Sequence, residues 1–524
     1  MELPSVGTRL NLHGNIGTVR FVGPVDNTTG VWLGVEWDNP ERGKHDGIKD
    51  NKRYFTCRIP NAGSFIRPSA NVTYGQTFVD AMTSKYIEEP HGSGSPEKVV
   101  LGSSDGAIEV EAVDLDKVRR KLAALERLRE VSLDNESVAK ADLPGTVSRT
   151  CPSIRGLDLS FNLFPTWEVI AQITAELPQL DRLALNRNRL QVPPDLSPFK
   201  CAFLRLTELQ LNGTMTTWGE LGQLMCVMPQ LRLAEMGYNR ISHLTSPMTH
   251  QVSTIETVNL DSNLCQNWID VCQSLKNYNC LQRVLLASNG INTIPFPSSQ
   301  QVPWDSLHYL SLSANHLAAW GDIDALAAWC PNLHGLALNG NPMVMGIEGT
   351  KFSRPFTIAK IPSLVMLDGA KISGSERLDS ELFYISYIAN NGPATEEQRV
   401  QEHPQWSRLC QKHGRPSGHF RQGKLSQQQI RIKLTHHQPE GNAEPPNADV
   451  VLEPLLVLQK MTLRTLRMKL CKVLKRSYKD TDVQLWVVMD DGSITLLGHE
   501  DDSKELGWFG VEDSTELLFQ TRRK

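Results

Sequence analysis

"LQRVLLASN", residues 281–289, is echoed 26 residues later by "LHYLSLSAN", residues 307–315. Both place apolar residues at the first, fourth and sixth positions and asparagine at the ninth. Local apolar/polar alternation over so few residues suits a short strand that ends in a turn. The same frame runs from Ile154, Leu157 and Leu159 to Leu333, Leu336 and Leu338. The ninth positions fall at 162, 188, 214, 239, 263, 289, 315 and 341, in steps of 26, 26, 25, 24, 26, 26 and 26. Thr214 replaces the asparagine in one copy. Leu128, Val131 and Leu133 make a degenerate first copy, and Leu364 with Leu367 a closing half-copy. A unit this short cannot bury its apolar face alone, so stacked copies must share one core.

The pattern is that of a leucine-rich repeat solenoid with one strand per unit on a concave wall. The asparagines, Asn162 and its equivalents, bond backbone groups at the turns and are structural. "TWEVIAQITAEL" and "DIDALAAW" suit helices on the convex side. A helix over 116–125, with Val118, Leu122 and Leu125 at helical spacing, is expected to cap the first repeat. Nine strands at about 4.8 Å spacing give a wall roughly 40 Å long. Its outward positions are read as Asp158, Glu208, Glu235 and Asp261, against Arg182 and Arg283, so the wall leans acidic.

The flanks have different patterns. Residues 1–90 hold short alternating runs such as "GTVRFVG" and "VWLGVEW", the mark of a small β-barrel. A linker spans 91–113, the solenoid with its cap 114–390, and a polar connector 391–427 that contains "HPQWSRLCQKHGRP", a candidate docked element. Residues 428–524 read strand, strand, helix, strand, strand, strand. Ile430, Ile432 and Leu434 alternate in the first strand. Thr462 caps a helix with Leu463, Leu466, Leu470, Val473 and Leu474 on one face, and Asp490-Asp491-Gly492 forms a later turn. This is the order of a ubiquitin-like β-grasp domain. Its end, "LFQTRRK", lacks the Gly-Gly that conjugation needs, so a docking role is expected.

The net charge of −4 argues against nucleic acid as a partner. The first 75 residues carry nine Lys or Arg against seven Asp or Glu. Ten cysteines without a Cys-x-x-Cys pair suit reduced core thiols in a cytoplasmic protein. Apolar runs are too short to span a membrane and the N-terminus has no signal-peptide pattern. No GxxxxGK[ST] loop, HExxH motif or metal-spaced Cys/His cluster occurs, so neither catalysis nor a cofactor or metal is expected.

Within the first unit, "GTVRFVG", "VWLGVEWD", "GKHDG", "YFTC" and "GSFIRPS" stand in the order of the CAP-Gly family, which this unit resembles. The resemblance implies recognition of an acidic tail ending in Glu-Glu-Tyr, as on α-tubulin. It assigns Trp32 and Phe65 as tail-holding aromatics, Arg67 as an adjacent base, and the loop Gly43, Lys44, His45, Asp46 and Gly47 as the carboxylate-facing segment. Gly43 and Gly47 are expected to let the loop backbone approach the peptide, and Lys44 to meet tail carboxylates. Asp46 has the alternative role of holding the turn, and His45 that of a solvated surface residue. Trp37, Tyr54 and Phe55 read as core. His45 stands where the family most often has Asn, and Asn27 where a further aromatic is usual. The domain order resembles the tubulin folding cofactor E family. That likeness implies α-tubulin as partner, with the wall residues against its body. It also implies tubulin chaperones B, C and D and a small GTPase, in a cytoskeleton-associated setting; the partner of the ubiquitin-like domain stays open between the proteasome, a partner chaperone and tubulin. The other reading is a microtubule-associated or ubiquitin-pathway adaptor scaffold.

Overall fold

A computed structural model describes residues 3–69, 71–88, 98–101, 108–111, 124–244, 254–415, 429–436, 450–458, 461–478, 480–488, 494–509, 511 and 515–523. Two compact units divide at Arg415 and Pro416.

In the first unit the expected small barrel is built on a five-stranded antiparallel sheet. Strand Val31–Trp37 lies between Gly63–Ile66 and Asn15–Pro24, followed outward by Arg9–Leu12 and Val72–Thr73. Leu10, Val19, Leu33, Val35, Trp37 and Val72 fill one core. Phe55, Cys57, Ile59 and Ala62 fill a second, against which Phe21, Tyr54 and Phe65 pack. Gly34 is needed here, because a Cβ would sit 2.5 Å from the Phe55 ring.

The solenoid follows the repeat closely. Nine three-residue strands, Glu130–Ser132 to Gly335–Ala337, pair in parallel with every middle residue buried. Met366–Leu367 and the antiparallel Ala370–Lys371 complete an eleven-stranded sheet. The asparagines form a buried ladder. Asn263 is typical: its Oδ1 accepts from the N–H of Asn239 at 2.9 Å and of Ile241 at 3.0 Å. Its Nδ2 donates to the carbonyls of Met236 and Leu260, both at 2.9 Å. At Thr214 the hydroxyl donates to Leu211 O at 2.8 Å.

Convex helices occupy Trp167–Ala175, Trp218–Met225, Trp268–Leu275 and Trp320–Trp329. They follow alternate repeats, and Thr217 closes a reciprocal cap with Glu220 on the second of them. The cap helix expected over 116–125 falls largely outside the described residues. A different segment covers the first repeat: helix Phe78–Thr83, counted with the barrel in sequence, buries Phe78, Ala81 and Met82 in the solenoid core beside Leu133, Val138 and Val147. Its N-terminus is tied down by the Asp142 carboxylate, which accepts from Val79 N–H at 3.0 Å. The strand Gln76–Thr77 just before it pairs in parallel with Val138–Lys140.

At the other end, helices Gly346–Lys360 and Gly374–Asn391 close the stack. The connector's "HPQWSRLCQKHGRP" contributes helix Trp406–His413, whose Trp406, Leu409 and Cys410 pack with Phe356, Tyr384 and Ile388.

None of the ten cysteines is in a disulfide. Seven are buried as expected, but Cys201, Cys226 and Cys280 are exposed, since they occupy turns and a helix end on the outer side of the stack.

The second unit orders its strands Val450–Leu458, Gln429–His436, Glu516–Arg523, Thr481–Val488, Ile494–Leu497. Only the pair Gln429–His436 with Glu516–Arg523 is parallel, which gives the β-grasp topology. Thr462 caps helix Leu463–Val473 and Leu463, Leu466 and Leu470 are buried. Val473 is exposed, since the helix turns it away from the sheet. The turn expected at Asp490-Asp491-Gly492 lies outside the described residues. Arg467 is fully buried in this helix and donates to Asp502 at 2.8 Å and to Leu497 O at 2.6 Å. That pins the helix to the strand ends.

Candidate peptide-binding site and wall

Phe65, half-buried on the strand Gly63–Ile66, is the hub of a ring cluster. Its centroid lies 6.5 Å from Trp32, 5.1 Å from His45, 5.5 Å from Tyr54 and from Phe55, and 6.3 Å from Phe21. Most of these contacts are edge-to-face, the arrangement that aromatic quadrupoles favour. Trp32 is fixed at both ends. Its Nε1 donates to Thr28 Oγ1 at 2.8 Å, and the Arg67 guanidinium lies 3.8 Å over its ring while donating to Val31 O at 3.2 Å. Trp32, His45 and Phe65 therefore present partly open ring surface, flanked by Arg67 and by the exposed Lys44, which forms no ion pair among the described residues.

Two neighbouring cations are engaged. Lys52 holds Asp26 at 2.8 Å, and Arg53 holds Asp46 at 3.0 Å. Of the rings expected as core, Trp37 and Phe55 are buried, whereas Tyr54 is half-open and its hydroxyl accepts from Asp26 N–H at 2.9 Å. Tyr54 belongs to the aromatic surface.

A model of the CAP-Gly domain matches residues 6–71. Tubulin-specific chaperone E of Bos taurus is 34% identical over 443 residues, which cover 81% of each chain. That of Xenopus laevis is 32% identical over 535 residues, covering 97% of each chain. The chain belongs to the tubulin-specific chaperone E family. Tubulin-folding cofactor E of Arabidopsis thaliana is 27% identical over 77% of each chain.

For this chaperone E family member, the loop glycines act differently from the expectation. A Cβ on Gly43 would lie 2.0 Å from Asn61 O and 2.5 Å from Ala62. Gly47, at φ +78°, would place one 2.1 Å from Phe55 O. Both glycines let the loop press on its own domain, so the close approach is internal. Asp46 holds the turn, its Oδ1 accepting from Cys57 N–H at 3.2 Å. Contact with Arg53 and Cys57 keeps its carboxyl below the ordinary value. The loop backbone is stitched to the next strand: Lys44 N–H donates to Gly63 O at 2.7 Å and Gly63 N–H to His45 O at 2.8 Å.

His45 is not a bare surface residue. Its Nδ1 accepts from Gly47 N–H at 3.0 Å, so protonation there breaks a loop bond. Burial holds its pKa below the ordinary value; Asp46 opposes this and Lys44 reinforces it. The folded pKa is thus depressed. The contribution of this group to stability is present above the unfolded value of about 6.5 and is lost as pH falls through the folded value. We expect protection of the Gly47 amide from hydrogen exchange to decline on acidification through that window. His45→Asn, whose Oδ1 can accept the same bond, should remove the decline; equal pH profiles in both proteins would show that the imidazole is not the cause.

On the wall, Asp158, Arg182, Glu208, Glu235 and Arg283 lie on strands at outward positions. Asp261 does not. It sits two residues past strand Thr257–Asn259, half-buried, with its Oδ1 accepting from Ala287 N–H at 2.7 Å, and burial raises its pKa. Arg182 pairs with Glu130 and Asp181. Arg283 stacks 3.6 Å over Tyr309, whose ring occupies the space that a side chain at Gly335 would need. The Arg283–Tyr309 stack, a flat platform on the wall, had no signal in the repeat template.

Proposed function

We propose that the chain is a non-catalytic tubulin-folding cofactor that grips α-tubulin at two places. The acidic C-terminal tail lies on Trp32, Phe65 and Tyr54 with its carboxylates toward Lys44 and Arg67. The tubulin body lies on the wall around Glu130, Asp158, Glu208 and Glu235 and the Arg283–Tyr309 platform. The observation that carries this reading is a half-open aromatic cluster with an unpaired lysine on its rim, in the same compact unit as a long strand wall. A tail gives a small foothold. Holding or separating a folded subunit needs an interface of about 1,200 Å² or more, which the wall can supply. The work is done by preferring one state of tubulin over another, with no bond made or broken. By the family resemblance of its domain order, the proposal extends to heterodimer assembly and dissociation alongside chaperones B, C and D and a small GTPase, with the ubiquitin-like unit as a further docking site.

Ring burial is worth roughly 1.5–3 kcal/mol and a surface ion pair about 0.2–1 kcal/mol. Calorimetry with a peptide ending in Glu-Glu-Tyr should therefore show Trp32→Ala weakening binding by about 10- to 150-fold and Lys44→Ala by less than about fivefold. Removing the terminal tyrosine should cost as much as losing Trp32. Equal affinity with and without that tyrosine would sink the reading.

A further inference from the structure

The barrel is fastened to the solenoid at the very segment that supports its peptide loop. Met215, from the turn after the fourth repeat strand Glu208–Gln210, packs against the cluster of Phe55, Cys57, Ile59 and Ala62. Two bonds hold Met215 in that turn: its own N–H reaches Asn239 Oδ1 at 2.7 Å, and the Thr214 hydroxyl lies 3.2 Å from the same oxygen. Arg189, from the preceding repeat's turn, lies 3.8 Å from Asp38, which Arg9 clasps at 2.6 and 2.5 Å. All three groups are largely shielded from water; burial lowers the Arg189 pKa against the pull of Asp38 and Arg9 adds to the lowering, so this contact marks the seam more than it strengthens it.

Segment 57–63 has two faces. One meets Met215. The other carries the peptide loop: Gly43 abuts Asn61 and Ala62, Lys44 and His45 bond Gly63, and Asp46 takes the Cys57 N–H. Glu36, itself held by Arg20 at 2.7 Å, accepts from Arg58 N–H at 2.5 Å and completes the support. A solenoid side chain is thus one layer of packing removed from the backbone of Lys44.

We propose that Met215 and Arg189 are positioning residues for the peptide site: the solenoid props segment 57–63 and so pre-forms the loop that faces the acidic tail. This rests on the tail-binding reading above. Pre-forming a loop lowers the ordering cost that binding would otherwise carry. Docking also fixes the distance from the tail site to the wall, so a tail once captured holds the body at high effective concentration.

The test uses the full chain and a synthetic acidic peptide ending in Glu-Glu-Tyr. Met215→Ser should weaken peptide affinity about tenfold, although residue 215 does not touch the peptide. It should also speed exchange of the Lys44 and Gly63 amides while leaving those of Leu33 and Val35 unchanged. Met215→Leu should restore both. Arg189→Gln should weaken binding less, because Arg9 still satisfies Asp38. Binding within twofold of the unsubstituted chain in Met215→Ser overturns this inference alone. Uniformly faster exchange through the barrel core overturns it too, since the effect would then be loss of the fold. No binding by the unsubstituted chain removes the tail reading and this inference together.

Discussion

Asn263→Ala should lower the stability of the solenoid by roughly 3–4 kcal/mol, the loss of two buried hydrogen-bond acceptances at about 1–3 kcal/mol each. The carboxamide is 3% exposed. Its two donations are backed up: Met236 O also accepts from Asn239 Nδ2 at 3.0 Å, and Leu260 O from Asn289 Nδ2 at 2.9 Å. Its two acceptances are not duplicated in this way. Without Oδ1, the N–H groups of Asn239 and Ile241 lose their ladder acceptor inside a dry stack. Thr214→Val is the control. The hydroxyl it removes lies 2.8 Å from Leu211 O and from Thr216 Oγ1, but Leu211 O also accepts from Asn239 Nδ2 at 2.8 Å, so a smaller loss, about 1 kcal/mol, is expected. Native-state hydrogen exchange is the suitable measurement, because a chain of several units does not unfold in one step. Amides at 239 and 241 should lose most protection. Equal effects of the two substitutions would show that the ladder is not what holds the turns.

The register of this ladder was readable from the sequence because it depends on spacing alone. Leu, Val and Ala at the strand centre and Asn at the turn recur whatever lies between. The convex side was less legible, yet a signal existed. Trp167, Trp218, Trp268 and Trp320 each begin a helix, at separations of 51, 50 and 52, so the true unit of the outer layer is two repeats.

The covering role of helix Phe78–Thr83 was missed for a physical reason. Phe78, Ala81 and Met82 have ordinary helical spacing, and nothing local says which of two neighbouring cores they enter. The same ambiguity governs Gly43 and Gly47. A glycine marks a close approach, but the sequence does not name the approaching group, which here is Asn61, Ala62 or Phe55 of the same domain. Asp261 looked outward by alternation, but the strand stops at Asn259 and the chain turns it against Ala287 N–H. Met215 and Arg189 had no sequence signal at all, because their partners lie more than a hundred residues away.

Glu381→Ala should release helix Trp406–His413 from the solenoid end, shifting its docking equilibrium about a hundredfold. The carboxylate, 1% exposed, is held by Lys412 Nζ at 2.7 Å and His413 Nε2 at 2.6 Å, with Arg377 at 3.9 Å. Removing one member of a buried charge set costs about 3–5 kcal/mol. The lower end applies here: Lys412 is half-exposed and regains water, and Arg377 keeps its bonds to the carbonyls of Ile358 and Leu364. About 3 kcal/mol remains, which is roughly two decades in the docking constant.

Burial pushes the Glu381 carboxyl up, but the bonds from Lys412 and His413 outweigh it and hold the pKa below the ordinary value. Its stabilisation is therefore present above the unfolded carboxylate range, near pH 4.3, and is lost as pH falls through the depressed folded value. Glu381→Gln should lose the pH dependence and part of the stability, and Glu381→Ala both. Exchange of the 406–413 amides reports the docking, and a protection pattern that Glu381→Ala leaves intact would refute the assignment. The consequence reaches the repeats. Helix Gly346–Lys360 shares Phe356 and Ala359 with the docked helix and sends Ile358 into the solenoid core. Undocking should thus loosen the last strands, Gly335–Ala337 and Met366–Leu367, before any earlier repeat, because each repeat is braced only by its neighbours.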